Sequence, residues 1–130
     1  MRRLAPETTD DQLIAFIDEW ASLLENENYA EAFAHTDHFE HMEWTPQLLR
    51  EVIKAYGDAL PNQRVTLLGK PTDITQDKDV SWWTSPDGVT RGEIWYDLNI
   101  DGFASDLTAT FEIERRADGI IVRLHDVHVM

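Results

Sequence analysis

At 130 residues the chain is long enough to bury one hydrophobic core and too short for two ordinary ones. Its 25 acidic against 11 basic residues leave a formal net charge of −14, which repels phosphate backbones and anionic lipid and argues against nucleic-acid or membrane partners. The absence of cysteine excludes disulfides, thiolate metal sites and cysteine nucleophiles, and 42% apolar content excludes a disordered chain.

Residues 1–8 read as a lead-in with no apolar stretch, and nowhere do about 18 apolar residues run together, so a soluble, cytoplasmic protein with one domain over 1–130 is expected. Thr9-Asp10-Asp11-Gln12 has capping-box spacing and starts the first helix. Leu13, Phe16, Ile17, Trp20 and Leu24 then recur at three- and four-residue intervals and form its core stripe. Asn28 caps a short second helix carrying Tyr29, Ala32 and Phe33, which ends near Thr36. Thr45-Pro46 opens a third, with Leu48, Leu49, Val52, Ile53 and Tyr56 as its stripe and Gly57 closing it.

From Asn62 the apolar period changes to about two. Strands are expected at Arg64–Thr75 with a bulge near Gly69-Lys70-Pro71, and at Val80–Thr84, Arg91–Ile100, Leu107–Arg115 and Ile120–Val129. Ser85-Pro86-Asp87-Gly88, Asp101-Gly102 and Ala117-Asp118-Gly119 carry turn residues suited to tight reversals, which makes the sheet an antiparallel meander. The fold class is therefore α+β, with N-terminal helices packed on one face of a curved antiparallel sheet.

Trp95 alternates out of phase with the core set, and Trp82-Trp83 puts one ring on each side of the sheet. The outer face thus carries more apolar area than free solvent favours. Trp82, Trp83 and Trp95 are the binding candidates, and a homodimer through the sheet is the expected cover.

Helices followed by a curved sheet reaching the C-terminus, with Asn28-Tyr29-Ala30-Glu31-Ala32-Phe33 after a long amphipathic helix, resemble the nuclear-transport-factor-2-like (cystatin-like) superfamily over nearly the whole chain. Ser105-Asp106-Leu107-Thr108 and the closing His125-Asp126-Val127-His128-Val129 are similar to uncharacterised bacterial families of that kind. The resemblance implies a conical pocket between helices and sheet. In some members that pocket hosts isomerase or dehydratase chemistry, and in many it serves binding or dimerisation.

For a pocket the candidates are Asp126 and His128, read as continuing the core face set by Ile120, Val122 and Leu124, with Tyr96 and Tyr29 as hydrogen-bond donors. His35, His38 and His41 stand at three-residue spacing among acids, a conceivable divalent-metal site, although solvated histidines are the simpler reading. No nucleophile elbow or phosphate-cradling glycine loop occurs, and no cofactor is expected. The leading expectation is a homodimeric binding module, one particular form of which is an immunity-type protein whose acidity suits a basic protein partner. A small-molecule isomerase, dehydratase or cyclase taking a small apolar ligand is the alternative.

Overall fold

A computed structural model describes residues 4–39, 43–57, 62–68 and 77–129. Helix α1, Asp10–Glu25, begins where expected: the Thr9 side chain accepts from Gln12 N while the Gln12 side chain accepts from Thr9 N. Two otherwise orphaned donors are satisfied together, with Asp10 and Asp11 at the positive end of the helix. α2 is Tyr29–His35, and α3 is Pro46–Lys54, capped by the Thr45 side chain on Leu48 N.

The strands are β1 Asp37–His38, β2 Val65–Thr66, β3 Lys78–Thr84, β4 Thr90–Ile100, β5 Phe103–Arg116 and β6 Gly119–Val129. They form one strongly curled sheet in the order β1-β6-β5-β4, with β2 and β3 both against β4. β3 to β6 are the expected meander, joined by Ser85–Gly88, by Asp101-Gly102 and by 117–118. Asp101 and Gly102 both have positive φ, 51° and 80°, the backbone that a two-residue hairpin turn demands.

Two features differ from the sequence expectation. β1 pairs in parallel with β6, through Asp37 to Arg123 and His38 to Leu124, and two residues carry no period to read. Strand character in 64–75 is confined, among the described residues, to Val65–Thr66, and the expected bulge at Gly69-Lys70-Pro71 lies outside them.

The core lies between the helices and one sheet face. Leu13, Ile17, Trp20 and Leu24 of α1 meet Ile94, Tyr96 and Leu98 of β4, Leu107, Ala109, Phe111 and Ile113 of β5, and Ile120, Val122, Leu124 and Val127 of β6. Trp20 stands edge-on to Phe111 with centroids 5.0 Å apart, a favourable quadrupole arrangement at the centre of the cone. Gly92 marks a close approach within the sheet: a Cβ there would sit 2.3 Å from Ser81 O and 3.0 Å from the Ile113 side chain.

Candidate functional site

The placement of Asp126 and His128 turns on one extra residue in β6. Phe111 opposes Leu124 and Thr110 opposes Asp126, so His125 is inserted as a bulge and the alternation beyond it reverses. Val127 therefore takes the core face, and Asp126 and His128 stand opposite Thr110 and Thr108 on the outer face. The expectation that they continue the inner face is corrected by this bulge. The Trp44 indole donates to the His125 carbonyl at 3.2 Å, and Thr110 Oγ1 lies 3.2 Å from His125 Nδ1. The bulge is held on both sides.

The pocket candidates consequently do not converge. Tyr29 is buried under the helices and its hydroxyl makes no hydrogen bond of good geometry. Its pKa is raised, first by burial and then by the Glu27 carboxylate. Tyr96 donates to Asp18 on α1, whose carboxylate also takes Lys78 Nζ at 3.3 Å, while that ammonium lies 4.7 Å from the Tyr96 ring centre. Burial above all, and then Asp18, push the Tyr96 pKa far up, so its hydroxyl is a poor proton donor to a reaction at neutral pH. Asp18 and Lys78 were not legible as partners, because their sequence separation of 60 residues leaves no local signal.

His128 instead borders a cleft of about 310 Å3 between α3 and the ends of β5 and β6, whose walls are mainly Val52, Ala55, Leu107 and Val127. Its Nδ1 is 3.2 Å from Asp126 Oδ2 but out of line for a hydrogen bond. The pair is a surface contact on the far side of the sheet from Tyr29 and Tyr96. The centre of the cone, where a substrate would have to lie, is occupied by Trp20 and Phe111, both fully buried.

His35 and His38 are used separately. His35 stacks on Phe16 at 4.1 Å with Nε2 2.9 Å from Phe16 O, and His38 stacks on Phe33 at 3.9 Å with Nε2 2.6 Å from Phe33 O. A carbonyl only accepts, so each Nε2 carries its proton and is not available as a ligand. His41 lies outside the described residues, and among those described no cluster of His, Cys, Asp or Glu could hold a metal ion.

The outer face is the remaining surface with organised chemistry. Register sets Trp83, Arg91, Glu114 and Ile121 in one row, Ser81, Glu93, Glu112 and Arg123 in the next, and Asp79, Trp95, Thr110 and Asp126 in a third. The tryptophans divide as the alternation requires. Trp82 faces inward, its indole donating to Asp10 at 2.8 Å beneath the Arg115 guanidinium 4.3 Å away, while Trp83 faces outward and is 48% exposed. Trp95 also faces outward and donates to Asp97 at 2.9 Å, an oxygen that accepts from Thr108 as well. Glu114, buried, takes Arg91 at 3.2 Å and Arg116 at 2.6 Å.

A family model described as a domain of unknown function, DUF7668, matches residues 21–130. The chain belongs to this family. The DUF7668 match takes in the end of α1, both later helices and the whole sheet, and hence every tryptophan of the outer face. Comparison with curated proteins and with solved structures finds no match. No helix among the described residues is long and apolar enough to cross a membrane.

Asp79 and Glu93 complete the candidate interface, and their importance was not apparent in a sequence with 25 acids. They share the outer face with Trp83, Glu93 one row away and Asp79 two rows away, and among the described residues neither has an ion-pair partner. Other carboxylates of the face, Asp97, Glu112, Glu114 and Asp126, each have an internal contact.

Proposed function

We propose that this protein is a binding module whose outer sheet face, centred on Trp83, engages a basic protein. The observation that carries this reading is a half-exposed tryptophan sharing one sheet face with two carboxylates, Glu93 and Asp79, that have no internal partner among the described residues, on a fold whose interior is filled. Tryptophan supplies large contact area at little entropic cost, and uncommitted carboxylates steer a cationic surface onto it. Self-association through the same face would oppose copies of Asp79 and Glu93 across the contact, which costs where a basic surface gains. With a net charge of −14, association should be fast and should weaken steeply with salt.

The test is native mass spectrometry of the protein taken from its own cells, followed by reconstitution with the purified partner. The expected result is one basic protein bound stoichiometrically, with Trp83→Ala raising the dissociation constant at least tenfold and Glu93→Lys slowing association. A homodimer with no partner, or a retained small molecule whose loss follows substitution of Tyr96 or His128, would overturn the reading in favour of self-association or of pocket chemistry.

A further inference from the structure

The edge of β3 extends this reading and rests on it. β3 pairs with β4 alone, and among the described residues no strand lies on its other side. Asp97 N donates to Asp77 O, and Ser85 N donates to Val89 O across the turn, so the odd-numbered residues turn their backbone groups toward β4. Alternation then directs the N–H and C=O of Lys78, Val80, Trp82 and Thr84 away from the sheet. These are the groups to which an added strand would pair.

Natural edges are commonly blunted by a proline, a bulge or a lysine reaching over them. β3 has no proline and its register with β4 runs unbroken from Lys78 to Thr84. Its one lysine, Lys78, is turned inward onto Asp18 and the Tyr96 ring. An inward-turned charge guards the first residue of the edge, and from Asp79 to Thr84 no proline, bulge or lysine closes it among the described residues.

Side chains specify what would pair there. Asp79, Ser81 and Trp83 project on the outer face at every second residue, with Glu93 behind the small Ser81. A strand laid along this edge would set its own alternate residues beside an acid, a gap and an indole face. Arginine or lysine satisfies all three, by ion pairing at Asp79 and Glu93 and by stacking on Trp83. A second copy of β3 in that place would instead bring Asp79 beside an edge already acidic.

We infer that the open edge of β3 takes up an extended basic segment of the partner as an added strand, with cationic residues at alternate positions. The probe is a blocked eight-residue peptide of alternating arginine and valine, followed by fluorescence anisotropy and by amide hydrogen exchange on the full chain. Exchange at Val80, Trp82 and Thr84 should slow at least tenfold on saturation, while Asp79, Ser81 and Trp83, already paired to β4, should be unchanged. Val80→Pro removes an outward N–H and no ladder bond, so it should weaken the peptide at least tenfold with the net charge unaltered. Should that variant misfold, the exchange pattern of the unaltered chain still decides.

Peptide binding that slows none of these amides and is lost on Trp83→Ala would overturn the edge inference and leave the face reading intact. Absence of peptide binding at low salt would overturn the edge inference, and the face reading would then stand or fall on the purified partner. Protection of Val80 and Trp82 without peptide, rising with protein concentration, would assign the edge to a second copy and overturn the inference.

Discussion

Adjacent tryptophans on opposite faces of one strand should have opposite costs when truncated. Trp82→Ala removes the indole hydrogen bond to Asp10, the contact under Arg115 and part of the packing between β3 and α1. A hydrogen bond to a charged group contributes about 1.5 kcal/mol and a cation–π contact about 0.5–1 kcal/mol. With the lost apolar contact of a partly buried ring, the total should be about 3 kcal/mol, at the lower end for tryptophan truncation in a core. Trp83→Ala exposes no cavity and should lie within about 0.5 kcal/mol of the parent. A gap of about 2.5 kcal/mol corresponds to roughly 10 °C in Tm for a chain of this size. Urea unfolding followed by far-ultraviolet circular dichroism measures both, free of the change in tryptophan fluorescence. Equal losses, or a larger loss for Trp83→Ala, would refute the assignment of faces and with it the exposed ring on which the proposed interface depends.

Gly92→Ala should cost about 2 kcal/mol or more, because its Cβ meets the backbone oxygen of Ser81 rather than a side chain able to move; thermal melting would show it, and an unchanged Tm would contradict the close approach. Tyr96 has a folded pKa raised above its ordinary value, so the stability it contributes is complete below about pH 10 and is lost as pH rises beyond that, the unfolded chain ionising first. Tyr96→Phe should flatten the alkaline loss of stability without abolishing it, since Tyr29 and Tyr56 are raised too; an unaltered alkaline profile in urea titrations would contradict this. Glu114→Ala should cost about 2 kcal/mol by leaving Arg91, Arg116 and Arg123 without their shared carboxylate, whereas Glu112→Ala, more exposed and 4.0 Å from Arg123, should cost less than about 1 kcal/mol. Paired denaturation curves distinguish them.

The architecture was legible because its signals are periodic and local. The α1 stripe, the Thr9 box, Thr45-Pro46 and the Asp101-Gly102 turn each express a rule that acts within a few residues, and all stand in the structure. The site was less legible because one inserted residue reverses everything after it. His125 carries no glycine or proline to announce a bulge, so the pattern Ile120, Val122, Leu124 extrapolates to Asp126 and His128, and the true core residue, Val127, falls out of step. The histidine run misleads for another reason. His35 and His38 look like ligands by spacing, yet each finds an aromatic ring and a carbonyl from its own neighbourhood, which spacing alone does not encode.

Net charge by itself favours solubility as readily as recognition, and what separates the two is how the acids are committed. Asp97 accepts from Trp95, Thr108 and the Asp77 amide, Glu114 gathers arginines, and Asp18 holds Tyr96 and Lys78. A cation approaching any of these must compete with bonds already made, and so gains little. At Asp79 and Glu93 no such bond stands among the described residues, and the exposed ring of Trp83 lies on the same face, one row from Glu93 and two from Asp79. A basic partner therefore gains most at the β3 side of the sheet, where the outer face and the open edge meet, and least at the β6 side, where Asp126 is held by the Val127 amide and faces its own histidine.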